Sequence, residues 1–194
     1  MPGRVVAVNV AHVIDTPVSA HGELRDTKPR GSGIDKRPVS GPVRVEPLGL
    51  VGDSILDTAH HGGPSQAVYA YAREDQEWWT HELGGELTRP ITPGSFGENL
   101  SLSAVAVNDA RAGERWAIGS VVLEVTVPRT PCSTFAGFLG LRGWVKRFAL
   151  AGRPGAYLRV VTPGKLRAGD TVDVSPGPPD LPTIREVFAA YYRR

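Results

Sequence analysis

Val121-Val122-Leu123-Glu124-Val125-Thr126-Val127 runs without a break into Pro128-Arg129-Thr130-Pro131-Cys132, and the class of fold turns on that passage. The first seven residues alternate. Val121, Leu123, Val125 and Val127 share one face, and Glu124 and Thr126 the other, which is the period-two pattern of a half-buried strand. The two prolines that follow fix φ and remove backbone donors, so the strand ends at a stiff corner that carries a cysteine. Beyond the corner, Ser133 to Phe148 sets Phe138, Leu141, Val145 and Phe148 at helical spacing, with Gly137, Gly140 and Gly143 weakening or breaking the helix.

Short strands recur on both sides of this passage. Arg4 to Val10, Gln66 to Tyr71, Glu114 to Ile118, Tyr157 to Val161 and Thr171 to Val174 are apolar runs bounded by turn residues such as Gly119-Ser120, Pro163-Gly164 and Ala168-Gly169-Asp170. A helix is expected over Arg73 to Leu83, with Ala72, Trp79 and Leu83 on one stripe and Gly84 as its stop. Another is expected over Thr183 to Tyr192, opened by the capping-box pair Thr183 and Glu186. Thr16 to Pro42 is polar and reads as loop. Pro176-Gly177-Pro178-Pro179 precedes the last helix, which divides the chain into one domain over 1–175 and a Pro-rich linker with a short helix over 176–194. With 23 glycines and 17 prolines, the expected class is mainly β with a few peripheral helices.

Composition removes several functions. The 22 basic and 20 acidic side chains leave a formal charge of +2, too balanced for a nucleic-acid surface. No apolar run reaches the roughly 20 residues that span a bilayer, so no membrane role is expected. The single cysteine excludes an internal disulfide, an all-cysteine zinc site and a four-cysteine iron–sulfur cluster built from one chain. Neither a phosphate-binding G-x-x-x-x-G-K-[ST] nor a G-x-G-x-x-G after a strand is present. His81-Glu82 lacks the second histidine of a zinc-protease helix, and Gly31-Ser32-Gly33 is too short for a nucleophile elbow. No cleavable signal is expected at the N-terminus, and the location expected is the cytoplasm.

Four segments can carry chemistry. Cys132 stands at a strand-to-helix corner beside Arg129, where a thiol should ionise more readily than in water. A thiolate is a nucleophile and a soft metal ligand; an inert core cysteine is the competing reading. Gly33-Ile34-Asp35-Lys36-Arg37-Pro38-Val39 offers adjacent Lys36 and Arg37 to an anion, or is a solvated basic loop. In His60-His61-Gly62-Gly63-Pro64 an imidazole sits beside bare backbone, or the histidines are incidental to a glycine turn. In Gly94-Ser95-Phe96-Gly97-Glu98-Asn99-Leu100 the Asn99 amide both donates and accepts, or closes an Asx turn. Together these parts suit an anionic, partly planar cofactor that bears a soft metal.

In this order, these segments resemble the MOSC domain family, named for the molybdenum cofactor sulfurase C-terminal domain, and most of all its small stand-alone bacterial branch. The matching stretches also include Leu48-Gly49-Leu50-Val51-Gly52-Asp53, Gly155-Ala156-Tyr157 and Ala168-Gly169-Asp170. The resemblance implies a barrel-like β fold that binds the molybdenum cofactor, a molybdopterin. It implies that Cys132 is the catalytic residue and the thiolate ligand to molybdenum. Lys36 and Arg37 belong to the basic loop facing the cofactor, Arg129 and Thr130 flank the cysteine, and His61, Asn99 and Tyr157 join the pocket. The implied activity is two-electron reduction of a small N-hydroxylated compound, with electrons from an external flavin or iron–sulfur reductase. A sulfur carrier with a persulfide on Cys132, and a non-catalytic cofactor-binding or delivery protein, use the same residues. A homodimer is among the assemblies the resemblance allows. Ser133-Thr134-Phe135 departs from the family in lacking the lysine commonly found after the cysteine.

Overall fold

The computed structural model describes residues 2–16, 19–20, 23–24, 30–56, 62–87 and 89–192. Along the chain run β1 (Gly3–Ala11), β2 (Ile14–Thr16), β3 (Ser19–Ala20), β4 (Glu23–Leu24), β5 (Arg30–Ser32), β6 (Lys36–Pro38), β7 (Val43–Glu46), β8 (Gly49–Leu50) and β9 (Val68–Ala72). After α1 (Arg73–Leu83) come β10 (Leu100–Ser103), β11 (Arg115–Ile118), β12 (Val121–Pro128), α2 (Ser133–Leu139) and α3 (Trp144–Ala151). The remainder is β13 (Ala156–Thr162), β14 (Gly164–Leu166), β15 (Thr171–Ser175) and α4 (Ile184–Tyr192). The chain is thus mainly β with short peripheral helices, as its sequence implies.

Seven strands close on themselves in the order β10-β9-β13-β12-β11-β15-β1, with β1 pairing back to β10. The β9–β10 pair is parallel and the other barrel pairs are antiparallel. Closure leaves these strands with no exposed edge. The far end of β1 continues past the barrel and pairs with β6, Ala11 opposite Lys36.

Alternation along β9 separates two cores. Val68, Ala70 and Ala72 point into the barrel with Val8, Leu100, Trp116, Leu123, Val125 and Leu158. Tyr69 and Tyr71 point outward into an aromatic cluster of Trp79, Phe96, Phe135, Trp144, Phe148 and Phe188. All five β9 residues are therefore buried, which explains why this strand reads as a continuous apolar run rather than an alternating one. Helices α1 to α4 cover the outer cluster, and Tyr71 stacks on Phe96 at 4.6 Å with 9° between the rings.

The helix expected over Ser133 to Phe148 is two helices. Gly140 (φ 67°) and Gly143 (φ 67°) take left-handed backbone and separate α2 from α3, a break that other residues make at a cost. The turn lets Phe135 and Trp144 meet edge to face at 5.2 Å. The capping box is formed, with Thr183 N donating to Glu186 Oε2 at 2.7 Å and Glu186 N donating to Thr183 Oγ1 at 3.2 Å. Helix α4 packs on the body: Ile184 N donates to the Ala110 carbonyl, and Phe188 is buried in the aromatic cluster.

The polar stretch read as loop, Thr16 to Pro42, carries short strands. β5 pairs with β2 and β6 pairs with β1. These strands lie outside the barrel, so their residues need not alternate in polarity, and the pairing partner lies distant in sequence.

Candidate functional site

The corner after β12 builds one wall of a cavity of about 500 Å³, within the usual size of a ligand pocket. The β12–β13 register shifts between Val125 and Pro128, an irregularity of the kind that bends a strand and re-aims the residues beyond it. Pro128 then hands the chain to Arg129, and Cys132 stands at the N-cap of α2 with extended backbone, φ −126° and ψ 169°. Cys132, Ser133 and Thr134 all line the cavity, with Arg129 and Tyr157 beside them.

Arg129 is 5% exposed. Its guanidinium lies 4.0 Å from the Phe135 ring centre and 5.6 Å from that of Tyr69, a cation held against aromatic faces. Its Nη1 donates to the Thr130 carbonyl over a long 3.5 Å. Among the described residues no carboxylate pairs with it. Burial opposes its charge, yet the facing Tyr69, Cys132 and Tyr157 hold its pKa above the ordinary arginine value. Burial also raises the Tyr157 and Tyr69 phenols, against the pull of Arg129. The two tyrosine rings lie 5.1 Å apart, and Tyr69 Oη donates to the Pro154 carbonyl at 2.8 Å.

Another part of the cavity lining is a polar network. Lys36 Nζ donates to Asp53 Oδ1 at 2.6 Å and also to Oδ2. Asp53 accepts the Ala11 N–H at 2.7 Å and the Asn99 Nδ2 at 2.8 Å. Asn99 Oδ1 in turn accepts the Tyr69 N–H at 3.1 Å. One carboxylate thus joins β1, β6, the turn after β8 and the loop entering β10. Burial pushes the Lys36 ammonium below its ordinary pKa, against Asp53 and Glu98. The loop behind this wall is tied by Glu98, which accepts from Gly94 N, Phe96 N, Ser101 Oγ and Gln76 Nε2. Gly94 lies against the Lys36 carbonyl so closely that a Cβ there would overlap it.

Five of the residues expected at a site therefore line one cavity: Lys36, Asn99, Arg129, Cys132 and Tyr157. Arg37 and Thr130 do not. Successive strand residues face opposite ways, so Arg37 turns outward beside Lys36 and pairs with Asp35 at 2.7 Å. Thr130 is an exposed residue of the corner. His61 lies outside the described residues, although its neighbour Gly62 lines the cavity. Asp53 and Tyr69 were not among the expected site residues. Asp53 sits in one of the family-like stretches, but nothing local in the sequence pairs it with Lys36, 17 positions away. For Tyr69 the available signal was its place in the apolar strand run Gln66 to Tyr71.

Among the described residues no group of three or more His, Cys, Asp or Glu side chains could hold a metal ion. Among the described residues, a metal at Cys132 would take its further ligands from a bound group. The cysteine, the buried guanidinium and the tyrosine rings suit such a group if it is anionic and partly planar.

The MOSC domain model matches residues 57–173, more than half of the chain. YflK of Bacillus subtilis, described as an uncharacterized protein, is 30% identical over 149 residues, covering 77% of this chain and 66% of its own. A protein of Gibberella moniliformis named "Reductase" is 30% identical over 149 residues, but the match takes in 25% of its length. The crystal structure of YiiM from Geobacillus stearothermophilus superposes with a TM-score of 0.76 at 26% identity, covering 99% of this chain and 85% of that one. That superposition takes in β6 and Asp53, which precede the matched domain range. The closed barrel, the cavity beside its cysteine corner and these matches identify the chain as a member of the MOSC domain family.

Proposed function

We propose that the cavity binds the molybdenum cofactor and that the chain reduces N-hydroxylated small molecules. The observation that carries this reading is the convergence on one cavity of the sole cysteine and a buried arginine with no carboxylate beside it among the described residues. Cys132 would supply one thiolate to the metal, a soft ligand matched to a soft centre. Arg129 would draw the anionic part of the cofactor, with charge-assisted donors in a fixed fork. Tyr69 and Tyr157 would give a planar ring an aromatic, water-excluding wall. Lys36, Asp53 and Asn99 hold another part of the lining in shape. When bound, the cofactor supplies the two-electron redox chemistry.

In the overall conversion a hydroxylamine takes up two electrons and two protons and gives an amine and water. The electrons would come from a separate flavin or iron–sulfur reductase. The match to a quarter of a longer protein named as a reductase fits a module that works beside other redox parts.

The test is expression in a cofactor-producing host, followed by turnover of a hydroxylamine with an artificial reductant. Molybdenum-dependent conversion to the amine supports the reading. Molybdenum without turnover supports a binding or delivery protein. A mass increase of about 32 Da on Cys132 without molybdenum supports a sulfur carrier.

A further inference from the structure

Two cations line the cavity among the described residues, Lys36 and Arg129, and they are not equivalent. Lys36 is 9% exposed and its ammonium is bonded to both oxygens of Asp53. Asp53 is itself held by the Ala11 N–H and the Asn99 amide, so it is fixed where it meets the lysine. Opposite charges this close cancel at the distance of a ligand further into the cavity. Arg129 has rings and a thiol around it in place of a carboxylate.

We propose that Asp53 determines the charge specificity of the cavity, cancelling Lys36 and leaving Arg129 as the cation that anchors an anionic ligand. This deepens the reading of the cavity as an anionic-cofactor site and rests on it. The acidic residue, not the number of basic ones, then decides how much negative charge the cavity accepts. Removing the charge of Asp53 uncovers a second cation, and anion binding should strengthen rather than weaken.

The probe is inorganic pyrophosphate, titrated calorimetrically into the full chain made without cofactor, at low ionic strength where charge effects are largest. Arg129→Met should weaken binding roughly tenfold or more, as expected for loss of charge-assisted hydrogen bonds. Lys36→Met uncovers the Asp53 carboxylate and should weaken binding by about threefold, less than Arg129→Met does, whereas Asp53→Asn should tighten it by about threefold or more. The double variant Lys36→Met/Asp53→Asn should return it to the unaltered value. Arg129→Lys, which keeps the charge, covers the case in which Arg129→Met does not fold, and should retain part of the binding. The double variant does the same for Asp53→Asn, since it removes the buried lysine charge together with its partner. A loss in Lys36→Met equal to that in Arg129→Met would overturn the proposal, as would an unaltered chain that does not bind pyrophosphate. Molybdenum content in a cofactor-producing host is a separate readout. If molybdenum is absent while the pyrophosphate pattern holds, the cofactor reading fails and the charge assignment stands.

Discussion

In one part of the cavity lining Lys36, Asp53 and Asn99 satisfy one another through hydrogen bonds that reach five segments of the chain. In another, the Arg129 guanidinium faces aromatic rings and the cysteine corner. Both walls bury charge, which is costly unless it is paired. The first wall resolves that cost internally and so fixes shape. The second sets a cation in the cavity lining with no carboxylate beside it among the described residues, as suits a pre-organised binding site. Buried polar groups thus serve architecture in one part of the cavity and recognition in another, and the partner rather than the residue type decides which.

Removing the sulfur should have the largest effect. Cys132→Ser replaces a soft ligand with a hard hydroxyl, and molybdenum-dependent turnover should fall to background while the circular dichroism spectrum is unchanged. Turnover surviving in that variant would erase the difference between the walls. On the polar side the damage should be to stability. Asp53→Ala strands the Lys36 ammonium in a buried setting and should cost about 3–5 kcal/mol in denaturant titrations. A loss below about 1 kcal/mol would mean that the wall is no keystone. Arg129→Lys should act more mildly, keeping the fold but raising the cofactor's dissociation constant by about tenfold, because a point charge replaces a planar fork.

The smallest effect lies behind the polar wall. Burial raises the Glu98 carboxyl above its ordinary pKa of 4.5 despite its hydrogen bonds. The native state then holds a proton that the unfolded chain releases, so this group's contribution to stability is present below pH 4.5 and declines as the pH rises through the folded pKa. Glu98→Gln should flatten that part of the stability profile, measured by thermal melts from pH 4 upward; an unchanged slope would remove Glu98 from the account.

Local chemistry made much of this legible in the sequence. The alternation of Val121, Leu123 and Val125, the prolines of the corner and the capping pair Thr183 and Glu186 each act within a few residues and are found in place, while the alternation breaks at Val127, where the β12–β13 register shifts. The glycines at 140 and 143 signalled a weak helix, but only packing shows why it folds back, bringing Trp144 onto Trp79 and Phe135. Non-local pairing was hidden. β6 and β10 are short polar or mixed segments that become strands because β1 and β9 lie alongside them. The same limit applied to the site: Cys132, Lys36, Asn99, Arg129 and Tyr157 stood out by type and motif, whereas Asp53 matters through a partner brought near by the fold. Arg37 had the same signal as Lys36 and differs in which side of its strand it faces.

The most direct measurement is elemental analysis of the chain and of Cys132→Ser, both purified from a host that makes the cofactor. The expected result is stoichiometric molybdenum in the unaltered chain and its loss in the serine variant. No molybdenum in the former, or equal amounts in both, would contradict the assignment of this cavity.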